Sequence, residues 1–302
     1  MYIKPVITII NKHVEKNNIC IISLSTILAI HTIALLGFYV IENIKYQTVL
    51  YQFIINALSM ISITGGYHRL WSHRSYCAKV PLQIFYIIFG TTASQSSVIW
   101  WAKNHRTHHR CEESKGDPYN IKKGLYHSHI GWIYKNKDKY ELMENNKSDV
   151  SDLFENNILA FQHNYYIFLW VFFNLFCNLF ILSLWNETLL NSIFSSFIRI
   201  TVTQHTTYCV NSFAHYFGNK PHRKDLFAAN NKYISFLTFG EGWHNYHHSY
   251  PKDYRASKKS NFNVTTMFID FTRRIGLSYN HNIKGIENIS VENRFDTKYY
   301  ER

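Results

Sequence analysis

No two of the chain's five cysteines stand at a Cys-x-x-Cys spacing; Cys20, Cys77, Cys111, Cys177 and Cys209 are scattered over 302 residues. That argues against a zinc ribbon, an iron–sulfur site and a disulfide framework. Three of the five lie in or beside apolar segments, where cysteine acts as a small apolar residue. No internal repeat is visible. A His-Pro-Gly-Gly haem signature is absent, and the 54 residues after His248 are too few for a fused haem domain of about 100 residues. A cleavable signal peptide is not expected, because Met1–Asn18 is polar and basic and the apolar run after it is too long for an h-region.

What is present is histidine in tight groups. His68 and His73 form an HxxxxH, His105, His108 and His109 an HxxHH, and His244, His247 and His248 a second HxxHH. Each buried imidazole carries polar nitrogens that need partners, so a packed core has little use for eight of them. A metal site has direct use, since neutral imidazole is a good ligand for iron, zinc and copper. Residues at i, i+3 and i+4 share a helix face, so each HxxHH aims three rings at one point. The i, i+5 spacing diverges by about 140° on an ideal helix and suits a helix end that can relax. The groups contain no Asp or Glu, and only one Glu-x-x-His spacing occurs, Glu241 to His244. This is not the carboxylate-rich pattern of soluble two-iron bundles. Eight or more histidines exceed what one metal can hold, which suggests two metals roughly 3.5–6 Å apart. Composition alone does not choose the metal.

Apolar runs cover residues 19–41, 48–67, 165–185 and 188–210, the last weakened by Arg199, Gln204 and His205. A bilayer core needs roughly 20 apolar residues per helix, so all four can span. A fifth run, Val80–Trp101, holds seven consecutive small or polar residues, Thr91–Ser97, and reads as a buried or interfacial helix. Very short loops, Glu42–Gln47 and Asn186-Glu187, pair the four spans into two hairpins. Lys and Arg avoid those loops, apart from Lys45, while residues 102–164 hold ten of them. By the positive-inside rule the large polar parts are cytosolic. The expectation is a single 302-residue unit: an all-α integral membrane protein with four transmembrane helices in two hairpins. Its helical cytosolic cap comprises residues 68–164 and 211–280, and a polar, mobile tail covers 281–302. Even numbers of crossings separate the histidine groups, so all three fall on the cytosolic side. The net charge of +12 then lies on that face, where anionic lipids and anionic ligands are its partners, and no nucleic acid is expected.

Gly65-Gly-Tyr-His-Arg-Leu-Trp-Ser-His-Arg-Ser-Tyr76 resembles the first histidine box of membrane acyl-CoA desaturases of the stearoyl-CoA Δ9 type. Trp101-Ala-Lys-Asn-His-Arg-Thr-His-His109, followed by Asp117-Pro118, resembles the second, and Gly240-Glu-Gly-Trp-His-Asn-Tyr-His-His-Ser249 the third. Asn211-Ser-Phe-Ala-His215 resembles the family's extra ligand motif. The match runs in order from Asn18 to Tyr279. It implies a four-span protein of the endoplasmic reticulum membrane, with both termini and the active site cytosolic. It also implies two irons, O₂ as co-substrate, a long-chain acyl-CoA substrate and a cis double bond at Δ9. Carried over by motif, His68, His73, His105, His109 and His247 would hold one iron. His108, His215, His244 and His248 would hold the other, with Asn211 acting through a water. Glu241, Asp117 and backbone carbonyls are candidates to orient the ligating rings. Electrons would come from a separate cytochrome b5 and its NAD(P)H-dependent reductase.

The resemblance also assigns substrate contacts. Gln95, Trp101 and Thr207 match the kink of the family's acyl tunnel, and Met60 and Asn56 its closed end. Because Met60 is bulky, acyl chains no longer than about 16 carbons are expected. The head-group positions Asn18, Ser96, Lys103, Asn104, Asn136, Lys137 and Tyr208 are the least secure. Here Lys103-Asn104 stands for Arg-Asp, Ser96 for Asn, Asn136-Lys137 for Arg-Lys and Tyr208 for Trp. Lys and Arg are not interchangeable at phosphates, so a carrier other than coenzyme A stays open. Of the other histidines, His13, His222 and His281 read as solvated, and His127, His129 and His163 as cap residues without a special role. His31 and His205 sit within apolar runs, where ionisable groups are functional candidates. The rival functions are a fatty acyl hydroxylase or acetylenase on the same boxes and, from another class, a membrane metal transporter.

Overall fold

The computed structural model describes residues 19–284, so His13 and the head-group candidate Asn18 lie outside the described residues. Three helices are long and apolar enough to cross a membrane: α1 (Ile21–Val40), α2 (Tyr46–Ser72) and, later in the chain, Tyr166–Ser183. Between them come α3 (Val80–Thr92) and α4 (Val98–Arg110). Tyr166–Ser183 is α5, and α6 spans Leu189–Asn211. Two further helices, α7 (His244–Ser249) and α8 (Val264–Arg274), follow, and a two-residue pairing of Cys77–Ala78 with Ser278–Tyr279 closes the cap.

α6 is as long as a span, yet its mean hydropathy does not mark it as one, because it carries an inward polar face. Arg199 is buried and donates to Gln52 Oε1 on α2, to the Thr92 carbonyl at the end of α3 and to Asn174 Oδ1 on α5 (3.0, 2.9 and 2.6 Å). Gln204 donates to the Ser94 carbonyl at 2.9 Å. Satisfying polar groups inside the bundle removes most of their cost, while Leu189, Leu190 and Val202 stay exposed on the opposite face. α1 packs along α6, with Ile30 and Ala34 against Phe197 and Ile200. The two short loops meet. Lys45 Nζ donates to the Trp185 carbonyl at 2.6 Å, its backbone N–H donates to Glu187 at 3.0 Å, and Asn191 donates to the Glu42 carbonyl at 3.1 Å. Both hairpin tips therefore lie together, at the end of the bundle away from the histidine groups.

The second apolar helix begins earlier and ends later than residues 48–67. It continues through Ser72 because its last eleven residues, Ser62–Ser72, wind as a π-helix. The widened turn brings i and i+5 into register, and the His73 N–H bonds the His68 carbonyl at 3.1 Å. The awkward HxxxxH spacing is thus resolved inside the helix end. Gly66 lies in this segment against α3, where a Cβ would stand 2.7 Å from Tyr86 Cγ. α3 itself is buried along Leu82, Tyr86, Ile87 and Gly90, as an internal helix rather than a fifth span.

Three surface expectations fail. His281 is half-buried, stacked on Tyr76 at 5.6 Å and bonded to Ser278 Oγ at 3.0 Å. The next residue, Asn282, exchanges backbone hydrogen bonds with Ser75 and Tyr254. The polar tail therefore does not begin at 281; residues 281–284 belong to the cap, and residues from 285 lie outside the described part. His222 is also half-buried, between Tyr246 and Tyr250. For both histidines, aromatic rings distant in sequence supply the cover.

Candidate metal centre and acyl cavity

Four chain segments deliver the histidines. The π-helical end of α2 supplies His68 and His73. α4 supplies three rings from the face on which Ala102, His105 and His108 are buried, with Ser97 capping its first turn. The single turn Phe213–His215 after α6 supplies His215, and α7 supplies the last three. α7 can reach the site because Gly242 passes against the backbone of Ser235; a Cβ there would stand 2.1 Å from the Ser235 nitrogen.

The nine rings resolve into two clusters, His68, His73, His105, His109 and His247, and His108, His215, His244 and His248. In each, one nitrogen per ring lies within 4.8 Å of the others. These are the two groups expected by motif. In the first, His68 and His247 Nε2 are 3.0 Å apart, His73 and His105 Nε2 2.8 Å, and His109 and His247 Nε2 3.0 Å. In the second, His244 Nε2 lies 2.9 Å from both His215 and His248 Nε2. The clusters adjoin, since the ring centroids of His109 and His248 are 4.4 Å apart.

Four of the far nitrogens meet polar partners, whereas those of His244 and His247 are buried without one. His68 Nδ1 lies 2.9 Å from Glu241, whose other oxygen takes Arg69 Nε and Nη2 at 3.0 and 2.6 Å. His108 Nδ1 lies 2.8 Å from Asp117, His105 Nδ1 3.1 Å from Tyr119 Oη, and His248 Nδ1 meets Glu112. Glu241 and Asp117 were legible as second-layer candidates, whereas Glu112 and Tyr119 were not. Glu112 is four residues after His108, but the helix stops at Arg110, so helical spacing could not place it.

This anchoring tests whether a cation fits. A carboxylate only accepts, so the Nδ1 of His108 carries the hydrogen and its Nε2 presents a lone pair; the same holds for His248 when Glu112, which burial pushes up to about 7, is ionised. Those two Nε2 atoms face each other at 3.4 Å. Two lone pairs directed together in a buried site repel unless a cation lies between them. Burial, and then the neighbouring imidazoles, push His105, His109, His215, His244, His247 and His248 well below their ordinary pKa. The rings are thereby held neutral, the form that binds metal. Burial alone would raise Glu241, but Arg69 and His68 hold it down at about 2. The donor set of nine imidazole nitrogens fits a pair of first-row metals.

An apolar cavity opens on the first cluster, lined by Met60, Ile63, Trp101, Thr207, Val210 and Asn211 beside His68, His105 and His244. The three predicted kink residues are joined there. Gln95 donates to Thr207 Oγ1 at 2.7 Å and accepts from Trp101 Nε1 at 3.2 Å. Met60 Sδ lies 3.8 Å from Thr207 Oγ1, and one turn deeper Asn56 accepts from Thr203 Oγ1 at 2.6 Å. The head-group candidates are more dispersed. Lys137 Nζ donates to Asn104 Oδ1 at 2.5 Å, while Lys103 reaches Asn146 at 3.4 Å. Burial pushes Lys137 down to about 8. The Ser96 N–H bonds Tyr166 Oη at 3.0 Å, Asn136 is exposed, and Tyr208 packs against His129.

Comparison with known proteins agrees with this geometry. The sequence model of the family described as fatty acid desaturase matches residues 46–256. The chain is 38% identical over 266 residues to the acyl-CoA Δ11 desaturase of Choristoneura rosaceana, covering 86% of this chain and 78% of the relative. It is 38% identical over 255 residues to stearoyl-CoA desaturase 5 of Bos taurus (82% and 75%). To the acyl-CoA Δ12-desaturase of Acheta domesticus it is 39% identical over 255 residues (83% and 71%).

Proposed function

We propose, on the premise that this chain belongs to the fatty acid desaturase family and is an acyl-CoA desaturase, that it inserts a cis Δ9 double bond into a saturated long-chain acyl-CoA. Its relatives include Δ11 and Δ12 enzymes, so regiochemistry is the part this chain's own residues must decide. One observation carries the reading: two adjoining clusters of imidazoles stand beside an apolar cavity that His68, His105 and His244 help to line.

A di-iron centre, when bound, supplies the O₂ chemistry that removes two hydrogens from adjacent unactivated methylenes. Overall, O₂, two electrons, two protons and the saturated chain give the unsaturated chain and two waters. The protein's part is position and exclusion of water. The nine rings would hold the metals, with Glu241, Asp117 and Glu112 orienting His68, His108 and His248. Gln95 ties Trp101 to Thr207 and so shapes the wall where the reacting carbons would rest. Met60 narrows the far end. Lys137, held by Asn104, is poised for an anionic head group. Two electrons per turnover come from a separate cytochrome b5 and its reductase. The chain works as a four-span unit in the endoplasmic reticulum membrane, with the cap, the active site and both termini in the cytosol.

The test is expression in a yeast strain auxotrophic for unsaturated fatty acids, followed by mass spectrometry of its lipids. Growth with a new Δ9 monounsaturated acid is the expected result, and His108→Ala abolishes both. Oxygenated or triple-bonded products instead would identify a hydroxylase or acetylenase.

A further inference from the structure

Three histidines outside the metal clusters form a chain of their own. His31 lies on α1, His205 on α6 and His129 in the cap turn that precedes Trp132. His31 Nδ1 lies 2.8 Å from the Ile27 carbonyl and its Nε2 2.9 Å from His205 Nε2. His205 Nδ1 lies 2.9 Å from His129 Nε2, and His129 Nδ1 2.8 Å from Ser212 Oγ. Unlike the metal clusters, no point gathers three nitrogens here: His205 turns one nitrogen to each neighbour. The arrangement is a wire.

Its direction is fixed by its Ile27 end. A carbonyl only accepts, so His31 Nδ1 carries the hydrogen and, in the neutral ring, Nε2 accepts. His205 must then donate from Nε2 and accept at Nδ1. His129 must donate from Nε2 and accept at Nδ1. The single hydrogen of the Ser212 hydroxyl has a second acceptor in the Tyr208 carbonyl 2.8 Å away, which also takes the Ser212 backbone N–H at 3.1 Å. Three hydrogens therefore make three bonds in one orientation, from His129 through His205 and His31 to Ile27, with His129 Nδ1 facing the Ser212 hydroxyl. Each ring is half-buried. The groups these bonds bring against the rings are imidazoles, a hydroxyl and a carbonyl, with Tyr208 and Phe213 at the edge of His129.

The wire ties α1 and α6 to one cap segment. The same segment is pinned again where the Cys20 N–H bonds the Tyr134 carbonyl at 2.6 Å and Ile19 pairs with Lys135. Asn136 and Lys137 follow directly, and Lys137 reaches Asn104 on α4. We propose that His31, His205 and His129 are positioning residues: their directional wire holds residues 127–137 against the bundle so that Lys137 is placed for the acyl carrier's anionic head group. The head-group role rests on the function proposed above; the wire does not.

Two measurements separate the parts. In full-length protein labelled with ¹⁵N at histidine and held in nanodiscs, the wire requires His31 as an Nδ1–H tautomer and His205 as an Nε2–H tautomer. The His31 signal is identified by its loss in His31→Leu, and replacing His205 must perturb it. An Nε2–H His31, or one indifferent to His205, overturns the wire whatever the enzyme's substrate. For placement, His205→Leu is expected to raise KM for palmitoyl-CoA about three- to tenfold, the worth of roughly one hydrogen bond, with kcat within about twofold. A merely structural role would lower kcat or active protein without that split, and an unchanged KM with an intact tautomer signature overturns positioning. Should His205→Leu not fold, His205→Asn carries the same test, since it keeps a polar group in α6 but is too short to bridge both rings.

Discussion

His108 and His247 show how much one ring's role depends on its cluster. His108 belongs to the group of four and His247 to the group of five. Removing His108 leaves three ligands on one side, while removing His247 leaves four. Reconstituted His108→Ala is therefore expected to bind about one iron per chain where the native protein binds two, and His247→Ala to retain more iron than His108→Ala. Metal content measured on purified protein checks this; equal losses in the two variants would contradict the division into clusters. Met60 is the corresponding residue in the cavity. It sits against Thr207, and behind it stands the polar pair Asn56 and Thr203. The native protein is expected to prefer acyl-CoA of about 16 carbons or fewer, and Met60→Ala to move the preference toward 18, each methylene being worth roughly 1 kcal/mol. Competition assays across chain lengths decide it, and a native preference for 18 carbons would rule it out. Six of the nine clustered rings were readable in the sequence because the two HxxHH spacings repeat a helix face, whereas His68 and His73 are spaced too widely for one and His215 was placed only by its resemblance to the family motif. Glu112, Tyr119 and the His31–His205–His129 wire were not, because they depend on where a helix stops or on contacts between positions far apart in the chain.

At the scale of elements, the ends of α2 and α4 are held together by Asp152. It takes Arg74 Nη2 at 2.7 Å and Arg106 Nη1 and Nη2 at 2.7 and 2.9 Å. Arg106 also bonds the carbonyls of Trp71 and Ser72, 2.7 and 3.2 Å away, at the π-helical end. One carboxylate thus fixes the segment carrying His68 and His73 to the helix carrying His105. Burial raises its pKa, but the two arginines outweigh that and hold it below 3.8. A depressed carboxylate contributes stability that is present above the unfolded value and lost as pH falls through the folded one. Asp152→Asn is therefore expected to cost about 1–3 kcal/mol at pH 7, toward the lower end because Arg74 is partly exposed. The gap from the native protein should close below pH 3.8. Thermal unfolding across pH reads this directly, and a gap that persists unchanged at low pH would remove the clamp. The π-helical turn was foreshadowed only as a spacing too wide for an α-helix; the hydrogen-bond shift that resolves it depends on packing against α3.

For the whole molecule, the issue is whether α6 crosses the bilayer. Its average hydropathy understates it, because an average counts Arg199 and Gln204 as though they met lipid, whereas both are enclosed and bonded within the bundle. The sequence could show the length of the run and its polar residues, but not which way those residues face. The contact between the two hairpin tips supplies an independent argument: Lys45 and Glu187 can meet only if α2 begins, α5 ends and α6 begins at the same level. If α6 crosses, the tips at Glu42–Gln47 and Asn186-Glu187 lie on one side of the membrane and the histidine clusters on the other. In sealed microsomes from a background lacking the native cysteines, a single cysteine at Asn43 or Asn186 should resist an impermeant maleimide until detergent is added. One at Lys115 should react at once. A tip cysteine that labels without detergent, or a protected Lys115 position, would place the metal-binding rings on the wrong side of the bilayer for a cytosolic electron donor. The four-span arrangement would then have to be abandoned.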